Sequence, residues 1–291
     1  MGQQPPGRPV SPVLKALMLG PLAAGAGYTF LALWPAAGST DTLFAWAMSP
    51  VTAVLLGAGY GGAGVMLLLA VRAGSWAEVR VVTAASAVLM VLMLAATLAD
   101  RGSLHLDGGS LIAFLGAWGW LAVHLAALPI GLVALTAQLL TRGPAPARAP
   151  RPPWWVAAPM VSGGLLLAGL GAVLSLRSAA LAPTWPWTAR PIDVRALGAW
   201  ALAFGVALLL ASREAELRRV RSGMAALVLT GLLGLAGLIR YGAHVAWHQP
   251  AAWVAVLVLT ALLGLGLCGY GVSAVLDPPR DTDPPRPVEL V

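Results

Sequence analysis

Eight times along this chain, roughly 18 or more residues pass with almost no charge, each run long enough to cross the ~30 Å hydrocarbon core of a bilayer. In that medium the backbone polar groups must bond to one another, which leaves only helices and closed barrels. A barrel strand alternates polar and apolar residues with period two. Here Leu, Ala and Val follow one another without alternation, so the runs read as helices. Composition agrees: 59% of the chain is hydrophobic and 10% is charged, against about 25% charged in a soluble domain. A soluble fold so poor in charge would lack the polar surface to cover itself.

The runs lie near 14–35, 50–71, 79–99, 118–140, 154–176, 193–212, 222–242 and 251–275. Two further apolar stretches, Asp41–Ser49 and Gly109–Ala117, are too short to span and are expected to lie at the interface or dip into it. The expected organisation is a disordered tail over 1–13, a four-helix unit over 14–141, a Pro/Arg-rich linker over 142–153, a second four-helix unit over 154–276 and a tail over 277–291. Met1–Ser11 is rich in Pro and Gly, a composition that favours disorder. The first run is too long for the apolar core of a typical signal peptide.

Charge gives the orientation. With eight spans both termini fall on one side, and that side carries Arg8, Lys15, Arg72, Arg80, Arg142, Arg148, Arg151, Arg213, Arg218, Arg219, Arg221, Arg280 and Arg286. The other side holds only Arg101, Arg177, Arg190, Arg195 and Arg240. The basic excess marks the cytoplasmic face of a bacterial inner membrane, with both ends inside. The net charge of +7 is thereby explained by topology, and no nucleic-acid partner is expected. The single cysteine, Cys268, lies in the last run, so no disulfide can form within the chain.

The two halves resemble each other. Pro21-Leu-Ala-Ala-Gly25 matches Pro159-Met-Val-Ser-Gly163, and Gly64-Val-Met-Leu-Leu-Leu-Ala-Val-Arg72 matches Gly205-Val-Ala-Leu-Leu-Leu-Ala-Ser-Arg213. Ala77-Glu-Val-Arg80 matches Ala215-Glu-Leu-Arg218, Arg101 and His105 match Arg240 and His244, and Trp120-Leu-Ala-Val matches Trp253-Val-Ala-Val. The offsets are 138, 141, 138, 139 and 133, in the same order along both halves. Units with an even number of helices insert the same way. The expected fold is therefore an all-α membrane protein of two tandem four-helix repeats in one orientation, related by a pseudo-two-fold axis along the membrane normal.

Phe44-Ala-Trp46, Ser49-Pro50, Gly57-Ala-Gly-Tyr60, Trp76-Ala-Glu-Val-Arg80, Ala96-Thr97-Leu98 and His105 together resemble a group of uncharacterised polytopic membrane proteins of high-GC, actinobacterial-type bacteria. The stretch from Thr188 through Arg218 to Tyr241 and Trp253 is similar to the second half of that group. The resemblance implies a fold and no activity. Abundant Ala, Arg and Pro with a single Lys suits such a source.

Candidate ligand-binding residues gather toward the outer face: His105, His124, His244, His248, Arg101 and Arg240. Arg101/His105, Arg240/His244 and His244/His248 are each spaced i,i+4, which places each pair on one face of a continuous helix. Neutral imidazoles so placed can hold a metal or haem. Against this, cationic side chains at a helix C-terminus are favoured by the dipole, and Arg and Trp are ordinary interfacial anchors. His124 stands apart, because the repeat puts Leu257 opposite it. An ionisable group within a membrane helix is a functional candidate by default, and its alternative role is hydrogen bonding to a neighbouring helix.

Gly57, Gly59, Gly61 and Gly64, and Gly231, Gly234 and Gly237, form small-residue stripes for close helix approach. Pro21 and Pro159 are expected to kink their helices, and Pro50 and Pro191 to occupy first turns. No run carries a central Asp, Glu or Lys, which argues against carboxylate-based proton coupling. No catalytic triad, cysteine-pair zinc pattern or phosphate loop is present, which leans against an enzyme and leaves the question open. The readings left open are a permease-like, solute-handling protein with a site between the repeats, a redox subunit holding haem or metal, and a structural partner in a membrane complex or homo-oligomer. The first is preferred, with the lipid bilayer as the assured partner and no cofactor expected.

Overall fold

A computed structural model describes residues 7–144, 153–214 and 217–276. The expected linker and C-terminal tail lie largely or wholly outside them. Among the described residues there is no strand, only an isolated bridge between Pro9 and Ser75. Eight helices are long and apolar enough to cross a membrane. They are α1 (Pro12–Leu33), α2 (Pro50–Arg72), α3 (Trp76–Ala99), α4 (Leu111–Leu140), α5 (Trp154–Leu181), α6 (Pro191–Ala211), α7 (Arg221–Arg240) and α8 (Pro250–Leu276).

Local chemistry sets their starts. Pro50 and Pro191 occupy first turns, where a missing N–H costs nothing. Ser49, Ser75 and Ser110 each accept a backbone N–H of the helix that follows. The Ser110 cap makes Leu111–Ala117 the first turns of α4 rather than a separate short segment, and Gly109 makes the turn before it at φ +101°. α4 thus has 30 residues, about 45 Å at 1.5 Å per residue, longer than the hydrocarbon core. In the other short stretch a helical turn at Thr40–Leu43 is followed by a bend over 44–46, with Phe44, Ala45 and Trp46 buried in the protein. Pro21 follows a π-helical turn over Lys15–Leu19, which absorbs its missing donor. α5 continues through Pro159, and its irregular dihedrals fall instead at Arg177 (φ −112°, ψ 17°).

Contacts between helix ends show that the helices alternate in direction. At one end, Lys15 Nζ donates to Ala73 O, Arg80 forms a two-pronged ion pair with Glu214 at 2.6 Å, and Tyr270 donates to Arg221 O. Part of the expected N-terminal tail is built into this basic end. Arg8 donates to the carbonyls of Thr141 and Gln138, and Gln138 Oε1 accepts from Ser11 N at 2.7 Å. At the opposite, tryptophan-rich end, Arg195 pairs with Asp100 and Ala246 N donates to Pro186 O.

The packing order is also defined. α1 lies on α2, α5 on α6, α3 on α4 and α7 on α8, while α2 meets α7 and α6 meets α3 across the centre. Glycines permit several of these approaches. A Cβ on Gly62 would stand 2.6 Å from Ala226 O of α7, and one on Gly231 would stand 2.6 Å from Leu259 O of α8.

Candidate functional site

A cavity of about 550 Å³ is walled by α1, α2, α3 and α4 and closed behind by α6. That size falls within the ~300–1,000 Å³ typical of small-molecule sites. Its back wall is aromatic. Tyr60 meets Trp200 edge-on with centroids 4.9 Å apart, Trp120 meets Trp46 at 5.3 Å and Phe44 at 5.4 Å, and His124 lies against Trp120 at 4.3 Å. Edge-to-face pairs of this kind are favoured by the ring quadrupole. They hold the rings as a wall instead of letting them collapse into the space.

Few polar groups interrupt this lining. His124 Nδ1 lies 2.8 Å from Trp120 O, an acceptor, so Nδ1 carries the proton and Nε2 presents a lone pair in the neutral ring. Among the described residues His124 Nε2, the Tyr60 hydroxyl and the Ser86 hydroxyl have no hydrogen-bond partner. Trp200 Nε1 is buried and equally unpaired. Of these only Trp200 Nε1 is fully buried; the other three lie on residues that line the cavity, where each can bond to a polar group brought in from outside the chain.

The cavity opens sideways. α1 touches α4 chiefly through its first turns, Pro12–Leu19, and the turn Thr40–Leu43 closes on α4 at the other end. Between them Gly25 and Tyr28 on one side, and Ile112, Leu115, Gly119 and Val123 on the other, are exposed lining residues. For a chain that spans a bilayer, this window faces the hydrocarbon.

Beside the cavity two hydrogen bonds lock the halves together. Trp46 Nε1 donates to Asp193 Oδ1 at 2.9 Å, and Trp187 Nε1 donates to Thr52 Oγ1 at 3.0 Å. All four residues are buried. The two donors stand 141 positions apart, as do the two acceptors, which is the spacing that relates Gly64–Arg72 to Gly205–Arg213. Asp193 also accepts from Arg190 N at 2.8 Å, so its carboxylate serves as both helix cap and inter-half anchor.

Of the six candidate ligand-binding residues, only His124 lines the cavity. His105 sits in the loop before α4, its Nε2 buried without a partner and its ring against Gly109. His244 is exposed beside Tyr241, and His248 is exposed. Arg101 is exposed, while Arg240 donates to Trp34 O and Pro35 O and lies over the Trp34 and Tyr241 rings. The structure therefore does not bring the four histidines together, and no cluster of His, Cys, Asp and Glu able to hold a metal occurs among the described residues. Sequence reasoning passed over Asp193, Trp200 and Ser86. The only signal for Asp193 was its place in the first turn behind Pro191. No known protein family, characterised protein or solved structure matches the chain.

Proposed function

We propose that this protein binds a lipophilic molecule with a small uncharged polar head, taken from the bilayer through the window between α1 and α4. The observation that carries this reading is the aromatic-walled, laterally open cavity with its unmet hydroxyl and imidazole groups. An uncharged head can bond to Tyr60, Ser86 and His124, whereas a charged one would suffer the cost of a membrane interior. This gives the permease-like reading a definite ligand class and a definite route of access. The haem or metal reading has less support, because the histidines stand apart.

Monoolein is a suitable probe. Native mass spectrometry of purified protein should show one saturable monoolein adduct. Gly25→Phe with Gly119→Phe should weaken it at least about tenfold, equivalent to about 1.4 kcal/mol. Neither glycine has anything within 4 Å of its Cβ position, so the new rings obstruct the window without disturbing the packing. Equal binding by wild type and variant would count against the reading and favour a structural role.

The repeat and the orientation belong to the same proposal. Exchanging the halves turns the α2–α7 contact into α6–α3, and the Trp46–Asp193 bond into Trp187–Thr52. That interchange is what two parallel four-helix repeats about a pseudo-two-fold axis require. The basic end is assigned to the cytoplasm of a bacterial inner membrane by its arginines. A reporter fused after Val291 should read cytoplasmic and one after Trp187 external, and the reverse at Trp187 would overturn the assignment.

A further inference from the structure

A second cavity of about 330 Å³ lies among α5, α6, α7 and α8 at the basic end. Its lining residues stand at the spacing that relates the two halves: Pro159 is 138 positions after Pro21, Leu208 is 141 after Leu67 and Met224 is 138 after Ser86. The space thus occurs in both halves, but the polar groups of the first cavity occur in one. Met224 stands in the place of Ser86, while Ala201 and Leu257, the counterparts of Tyr60 and His124, do not line the second cavity. Among its described lining residues only Arg219 is charged, and it pairs with Glu214 at 4.0 Å. The remaining lining side chains are apolar or aromatic, apart from the weakly polar thiol of Cys268.

The two cavities share Met66, Ala85, Phe204, Ala207 and Ala226, so one wall divides them. Three of these are alanines. The other two, Met66 and Phe204, are half-buried, and Met66 is an unbranched side chain that adapts readily. We infer, resting on the reading above, that the second cavity receives the far end of the same ligand's acyl chain. The uncharged head stays at Tyr60, Ser86 and His124, and the chain passes between Met66 and Phe204 into the chamber beyond. From Trp200 in the first cavity to Ala211 in the second, α6 rises about 16 Å at ~1.5 Å per residue. An oleoyl chain covers that distance and an octanoyl chain does not. Lipid tails are as apolar as the chamber, so close packing of chain against wall, not escape from water, holds the chain there. The ligand class is thereby narrowed to long-chain amphiphiles.

Two photoreactive monoacylglycerols test this in nanodiscs, one of oleoyl and one of octanoyl length, each with a diazirine at the end of its chain. The long probe should mark Met224, Leu265 or Cys268 in the chamber, and excess monoolein should compete these adducts away. The octanoyl probe should mark the first cavity alone. Gly223→Phe fills the chamber from a position with nothing within 4 Å of its Cβ. It should abolish the chamber adducts and leave the octanoyl adducts intact. Gly25→Phe with Gly119→Phe, which obstructs the window, should abolish both. The inference is overturned if the long chain marks window residues such as Leu115 and Val123 while the octanoyl probe still marks the cavity, for then the tail stays in the bilayer. It is overturned equally if chamber adducts survive the obstructed window, for then lipid enters the chamber between α5 and α8 by itself. Failure of the octanoyl probe to mark the first cavity overturns the head site, and this inference with it.

Discussion

Trp46→Ala is expected to destabilise the protein by about 3–5 kcal/mol, the range for truncating a fully buried tryptophan. Trp46 is 1% exposed, packs edge-on against Phe44 and Trp120, and joins the halves through Asp193. Trp46→Phe isolates the hydrogen bond: the ring is largely kept, and the buried carboxylate is left with the Arg190 N–H alone. That loss should cost about 1.5–3 kcal/mol, as for bonds to charged groups. Trp187→Phe removes the counterpart bond to a neutral hydroxyl and should cost about 0.5–1.5 kcal/mol. Reversible unfolding in mixed detergent micelles reads all three. Equal costs for the two Phe variants would mean that the Asp193 carboxylate is not ionised or not held as described.

Gly205→Leu is expected to separate α5 from α6. A Cβ at Gly205 would stand 2.6 Å from Ala168 N and 2.7 Å from Gly164 O. Both are backbone atoms of a neighbouring helix, so no rotamer change relieves the clash. α5 has little other support, since it packs mainly on α6. Gly205→Ala should cost about 1–3 kcal/mol as overpacking, and the larger Leu more. Gly169→Leu is the control: nothing lies within 4 Å of its Cβ position, so it should change stability by less than about 0.5 kcal/mol. Thermal scans of the detergent-solubilised variants check this, and a Gly205→Leu protein as stable as wild type would contradict the described α5–α6 crossing.

The eight helices were legible because each apolar run exceeds a bilayer's width. The short stretch at Gly109–Ala117 was legible as apolar but not as part of α4, because apolar composition does not distinguish a separate short segment from the start of an overlong helix. The Ser110 cap decides that. Glycine stripes and first-turn prolines were legible from their chemistry. The site was legible only at His124. Its other walls come from single residues scattered over α2, α3, α4 and α6, and Tyr60 or Trp200 taken alone reads as ordinary helix packing. Asp193 was concealed for a related reason: an acidic residue in a first turn is a cap, and only Trp46 arriving from the other half makes it an anchor. The grouped histidines show the converse limit. The i,i+4 pairing presumes a continuous helix, but α3 ends at Ala99 and α7 at Arg240, so His105, His244 and His248 lie in the loops beyond and share no helix face.

Photo-cross-linking in nanodiscs tests the binding site most directly, using a monoacylglycerol that carries a diazirine on the acyl carbon next to the ester. The head-proximal group should mark Tyr60, Trp120, His124 or Trp200, and excess monoolein should compete the adducts away. Adducts confined to outward-facing residues such as Leu132, Leu139 and Leu176, undiminished by competitor, would contradict a cavity that takes its ligand from the bilayer.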